Sequence, residues 1–125
     1  MILRTGIDML DFQRLEDLNP EIRRRFLRRV FTPDELKISS DSIPSLAGRF
    51  CVKEAVAKAL GCGIGRIGWQ EIETLNDTDG APVLHLSGKA AGLSASLGLE
   101  TWAISITHTR QVAAASVTAI GWISE

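Results

Sequence analysis

The longest run of strong helix formers spans Ala47–Gly61, AGRFCVKEAVAKALG. At about 100° per residue, Val52, Ala55, Val56 and Ala59 share one face, and Lys53, Glu54, Ala57 and Lys58 fall on the other. The pattern predicts a long helix with one core-facing side and one charged side. Its neighbours fall into place around it. Ile2–Met9 reads as a strand in which Gly6 allows close backbone approach and Asp8 stands as an acid in an apolar stretch. Phe12–Leu18 has a short helical pattern that Asn19-Pro20 breaks, and Glu21–Val30 follows as a second helix. Thr32-Pro33-Asp34-Glu35 is a capping box with proline at the first helical position, starting a short helix that ends before Ser39-Ser40-Asp41-Ser42. Those polar residues and Pro44 read as a loop, with Ser45 as N-cap of the long helix.

Strand patterns dominate the second half. Trp69–Leu75 and Ala81–Leu86 are joined by Asn76-Asp77-Thr78-Asp79-Gly80, which has hairpin chemistry. Ser87–Gly98 is small and Ala-rich, a modest helix that Ser87 could cap. Thr101–Thr107 alternates Trp102, Ile104 and Ile106 against Ala103, Ser105 and Thr107, a half-buried strand. Gln111–Ile123 closes the chain as a Val/Ala-rich strand expected to be buried on both faces. The order of elements predicts an α+β fold, a mainly antiparallel sheet packed with one long central helix and shorter helices. With no linker or repeat visible, residues 1–125 are expected to form a single domain.

Composition narrows the chemistry. Hydrophobic content of 45 % and charged content of 23 % are those of an ordinary globular protein, and a net charge of −1 draws the whole molecule to neither nucleic acid nor membrane. No stretch approaches the ~18 apolar residues of a membrane span, and MILRTGIDML is too short and too interrupted for a signal peptide. Cys51 and Cys62 form neither a CxxC pair nor a zinc-finger spacing, so a reducing cytoplasm is the expected setting. Charge is concentrated locally instead. Arg23, Arg24, Arg25, Arg28 and Arg29 put five arginines in seven residues, a patch suited to nucleic acid, a membrane surface, an acidic protein or plain solvent.

Three features carry candidate chemistry. Glu54 sits between Lys53 and Lys58, which as a bare helix face means only a Glu54–Lys58 pair worth about 0.3–0.5 kcal/mol. Asp8 near a strand end is a helix cap or a ligand. Gly63, Gly65 and Gly68 spell GxGxxG, yet the motif follows a helix and precedes a strand, the reverse of a dinucleotide fingerprint. A glycine-rich turn can still bring backbone N–H groups close to a phosphate. His85 falls opposite Leu84 and Leu86 and reads as a surface histidine, whereas His108 lies between two threonines.

GID at 6–8, AGRFxxKEAxxKALGxG at 47–63 and SITHT at 105–109 resemble, in order and spacing, the bacterial holo-acyl-carrier-protein synthases, the small phosphopantetheinyl transferases. FTPDEL at 31–36 and DGAP at 79–82 extend the resemblance from Met1 to about Val117. The resemblance implies transfer of the 4′-phosphopantetheine arm of coenzyme A to a serine of apo acyl carrier protein, with Mg²⁺ required and 3′,5′-ADP released. It implies that Asp8 and Glu54 are the metal-binding, catalytic carboxylates. Lys53 and Lys58 would lie near the coenzyme A phosphates, Gly61 and Gly63 beside the nucleotide, and His108 with Thr109 at its phosphates. Arg14, Arg24, Arg25 and Arg28 would dock the acidic carrier protein, with Phe26 as an apolar contact. A homotrimer with sites between subunits is implied, and nucleic acid is not an expected partner. The proton acceptor for the serine stays open among Glu54, a metal-bound water and a partner-subunit residue. Cys62 departs from the threonine common in the family, and Cys51 and the tail Gly121–Glu125 are less typical. A coenzyme A or carrier-protein binding module without turnover is the alternative, and whether the carrier serves fatty-acid or polyketide synthesis is open.

Overall fold

The computed structural model describes residues 1–123; the last two residues of the tail lie outside it. Strand β1 (Ile2–Asp11) leads into a single helical turn, α1 (Gln13–Glu16), then α2 (Pro20–Val30), α3 (Pro33–Ser39) and the long α4 (Ile43–Leu60). The hairpin β2 (Ile72–Asn76) and β3 (Pro82–Leu86), helix α5 (Gly88–Ser96), and strands β4 (Leu99–His108) and β5 (Val112–Gly121) complete the chain. The sheets are antiparallel, as the order of elements predicts, but there are two: β1-β5-β4 and β2-β3.

Helix α4 runs between them. Gly6 of β1 lies directly under it, where a Cβ would overlap the carbonyl oxygen of Ala55. Ala47, Val52, Ala55, Val56 and Ala59 are fully or almost fully buried with Ala115, Val117 and Ala119 in the main core. A helix covered on both sides cannot show a clean polar face, so Lys53 and Ala57, expected on the charged side, are buried as well. The helix also starts earlier than its pattern suggests. Ser42, not Ser45, is the N-cap and accepts from Ser45 N, which brings Pro44 into the first turn, where its missing N–H is harmless.

Three further expectations are corrected. Trp69–Glu71 is a 3₁₀ turn rather than the start of a strand. The Glu71 carboxylate accepts from Gly68 N at 2.7 Å and from Lys89 N at 3.0 Å, so it caps α5, a role in which the Ser87 side chain makes no bond. Strand β5 is buried on one face only: Ala113, Ala115, Val117 and Ala119 meet α4, while Ser116 and Thr118 are exposed. Beside them on the same outer face, Leu3, Ile7 and Met9 of β1 are 56 %, 67 % and 68 % exposed, an apolar strip with nothing over it in the described chain.

Candidate active site

Strand β1 and helix α4 bring Asp8 and Glu54 to the wall of one cleft of about 390 Å³. The close crossing at Gly6 lets a strand residue and a helix residue more than forty positions apart face the same space. Lys58, one turn beyond Glu54, donates to Ile7 O at 2.8 Å and to Asp8 Oδ1 at 3.2 Å. The pair Lys58 makes is therefore with Asp8 rather than Glu54. It is an exposed ion pair, worth at most about 1 kcal/mol, so Lys58 can be released to a more highly charged partner. Glu54 has no such compensation. Burial, and then the negative charge of Asp8, push its carboxyl above the usual range, against a smaller opposing effect of Lys58.

The other walls are apolar or basic. Phe50 and Phe26 pack ring to ring at 5.9 Å, Phe50 stacks on Trp69 at 5.2 Å, and Arg14 stands at the rim. On α2, Arg24, Arg25, Arg28 and Arg29 are exposed. Arg23 is not part of that patch, because its guanidinium donates to Leu15 O at 3.1 Å and Glu16 O at 2.7 Å and closes α1.

Lys53 lies elsewhere. Its ammonium is fully buried, donating to Glu35 Oε1 at 2.7 Å, to Trp69 O at 3.0 Å and to Ile72 O, above the Phe31 ring. A buried ammonium needs such partners, and three acceptors use all of its protons. This corrects the expectation that Lys53 faces bound phosphate. Burial lowers its pKa, with Glu35 acting in the opposite direction. Glu35, whose sequence context revealed only a capping-box role, also accepts from Thr32 N and Thr74 N, so one carboxylate joins α3, α4 and β2.

Gly61 ends α4 in the left-handed conformation, φ 72°, and Gly63 has open space where a side chain would be. Arg4, which no sequence motif singled out, reaches this turn: its Nη1 is 3.3 Å from Ala59 O and 3.5 Å from the place a Gly61 Cβ would occupy. His108 and Thr109 are not brought there. His108 is paired through Ala113 with Leu10, two strands or ~10 Å across the sheet from β1. Arg4 is aligned through Ala119 with Trp102, so the glycine turn and His108 are ~20 Å apart along the strands. His108 instead lies 6.3 Å from the Phe12 ring, and Thr109 Oγ1 accepts from Gln111 N and Val112 N in the β4–β5 turn. Cys51 is buried, its thiol pushed up to about 12 by burial first and then by Asp8 and Glu54, while Cys62 is half-buried; both are free thiols.

Among the described residues no three His, Cys, Asp or Glu side chains cluster as a complete metal cage. Asp8 and Glu54 on one cleft are the residues that could hold a divalent cation, since Mg²⁺ needs only one or two carboxylates beside waters and substrate oxygens.

Comparison with known proteins gives one answer. Residues 4–115 match the family described as the 4′-phosphopantetheinyl transferase superfamily. The holo-[acyl-carrier-protein] synthase of Dehalococcoides mccartyi is 42 % identical over 118 residues, covering 94 % of this chain and 98 % of that protein. The Helicobacter pylori holo-[acyl-carrier-protein] synthase in complex with coenzyme A superposes with a TM-score of 0.83 at 30 % identity, over 93 % of this chain and 99 % of the other. The Bacillus anthracis enzyme, solved in complex with coenzyme A (3′,5′-ADP), gives 0.74 at 30 % identity over 93 % and 94 %. The chain belongs to the 4′-phosphopantetheinyl transferase superfamily.

Proposed function

We propose that this protein is a holo-[acyl-carrier-protein] synthase, transferring 4′-phosphopantetheine from coenzyme A to a serine of an apo acyl carrier protein. The observation that carries the reading is the meeting of Asp8 and Glu54 across one cleft beside Lys58, in a chain of this family. The serine oxygen attacks the β-phosphorus and the P–O bond to the α-phosphate breaks. Its electron pair leaves on 3′,5′-ADP, and the serine proton passes to a base. Asp8 and Glu54 would hold a Mg²⁺ ion, which supplies charge to the diphosphate and its developing negative oxygens. Lys58 exchanges Asp8 for a phosphate oxygen, and the Phe26–Phe50 wall keeps bulk water from the reacting atoms. The base that takes the serine proton is Glu54 on the cleft wall, a metal-bound water or a residue of a second copy.

Arg14, Arg24, Arg25 and Arg28 with Phe26 form the docking face for an acidic carrier protein, contiguous with the cleft that Phe26 and Arg14 line. Association with further copies, of which the homotrimer implied by the family resemblance is one form, is supported by two observations. The apolar outer strip Leu3, Ile7 and Met9 needs a cover, and His108 with Thr109 reach a nucleotide at Gly61 only from a second copy. Two free thiols suit a reducing cytoplasm. The test is intact mass measurement of an apo carrier protein incubated with this protein, coenzyme A and Mg²⁺. A gain of one phosphopantetheine is the expected result. Tight coenzyme A binding with no mass change on fatty-acid or polyketide carriers would refute it in favour of a binding module.

A further inference from the structure

We infer that Arg4 is an additional coenzyme A-binding residue, a cation for the 3′-phosphate on the nucleotide ribose. The inference rests on the proposed function and extends it. With Lys53 committed to Glu35 in the interior, Lys58 is left as the one motif lysine beside the carboxylates, against a donor that carries three phosphates. Arg4 is the cation that the fold supplies next along the same path.

Its position follows from β1. Arg4, Gly6 and Asp8 share the strand face turned toward α4, and Gly6 lets the helix close down between them. Four residues of extended chain put Arg4 ~13 Å from Asp8. Nη1 at Ala59 O places the guanidinium at the C-terminal end of α4, on the residue that follows Lys58. Lys58 and the α4 C-terminus lie between the two points.

The guanidinium is held but not consumed. Among the described residues its one bond is Nη1 to Ala59 O at 3.3 Å, and it pairs with no carboxylate. Four of its five N–H donors thus stay available beside Gly61. The turn there has no side chain at Gly61 and open space at Gly63, leaving room for a ligand. A planar fork with a fixed charge suits a dianionic phosphomonoester, which can take two parallel bonds. Coenzyme A carries that group and dephospho-coenzyme A lacks it, while both carry the same reacting diphosphate. Arg4 would therefore set donor preference without touching the reacting atoms.

The competing role is a helix cap: an arginine at a helix C-terminus stabilises the last carbonyls. A cap changes stability and not donor preference, which makes the two separable. The experiment is calorimetric titration of the wild type, Arg4→Ala and Arg4→Gln with 3′,5′-ADP and 5′-ADP, alongside KM for coenzyme A and dephospho-coenzyme A. Arg4→Gln retains a donor for Ala59 O and so keeps the test intact if the alanine variant unfolds. A lost charge-assisted contact is expected to weaken 3′,5′-ADP about tenfold to a hundredfold and to collapse its advantage over 5′-ADP, with the donor preference falling in parallel. Wild-type preference retained in a folded variant overturns the inference alone. A wild type that binds neither nucleotide nor coenzyme A overturns the proposed function and the inference together.

Discussion

Replacing Lys53 by methionine tests how α4 is held. The substitution keeps the length of the side chain and removes the ammonium that Glu35 Oε1, Trp69 O and Ile72 O all accept from. Both members of the ion pair are 0 % exposed, so no water replaces what is lost. Breaking a buried pair and leaving one charge behind costs about 3–5 kcal/mol. Glu35 keeps the N–H groups of Thr32 and Thr74, which moderates the loss and argues for the lower end. Against a total stability of about 5–15 kcal/mol, that is a substantial part of the whole. A lysine on a solvated helix face would cost within about 0.5 kcal/mol. Urea unfolding of the ligand-free protein, followed by tryptophan fluorescence, distinguishes the two because Trp69 adjoins the site. Glu35→Gln and the double variant complete a cycle, and the double variant should lose less than the sum of the singles. A folded Lys53→Met protein within about 0.5 kcal/mol of wild type would refute the buried strut.

Other consequences follow from the charges. Glu54 has a folded-state pKa raised by burial and by Asp8, so stability falls as pH rises through the carboxyl range into that raised value. Glu54→Gln should therefore raise the thermal midpoint of the metal-free protein at neutral pH, and an unchanged or lower midpoint would contradict the assignment. Glu71 behaves oppositely. Donation from Gly68 N and then Lys89 N lowers its pKa, so its contribution is present above the unfolded carboxyl range and is lost as pH falls toward the lowered value. Glu71→Gln should flatten the stability profile across that acidic interval, measured by urea unfolding at stepped pH. On α2, removing Arg24, Arg25 and Arg28 together should lower kcat/KM for the carrier protein at least about tenfold at low salt, with the deficit shrinking as salt rises. Stopped-flow association with the carrier across a salt series checks this.

The parts of the fold legible in the sequence are those set by local chemistry. Thr32-Pro33-Asp34-Glu35 forms both capping-box bonds, Asp77 organises the β2–β3 turn through Asp79 N and Ala81 N, and Gly6 marks the closest approach of strand and helix. Asp8 and Glu54 were legible through the resemblance of the motifs around them, and the structure puts them on one cleft. What could not be read depends on contacts between distant segments. Helical periodicity gives the azimuth of Lys53 but not the second sheet lying over it, and its partner Glu35 was concealed inside a cap. The alternation of Trp69–Leu75 favours a strand, but Lys53 grips Trp69 O while Glu71 turns back to cap α5, and the first three residues wind into a 3₁₀ turn. Arg23 counts as one of the five arginines of the 23–29 run in the sequence and as a cap of α1 in the fold. Arg4 lies in no motif, and only the crossing of β1 under α4 carries it to the Gly61 turn.

The joint role of Asp8 and Glu54 is tested by carrier-protein mass measurement with Asp8→Asn and Glu54→Gln, singly and together, in the presence of coenzyme A and Mg²⁺. Both side chains keep their shape and lose their charge. Each single variant is expected to remain folded and to lose at least about a hundredfold in transfer rate, and the pair to lose little more than the worse single, since the two carboxylates act as one unit. A doubly substituted protein that still loads the carrier at the wild-type rate would contradict that joint role.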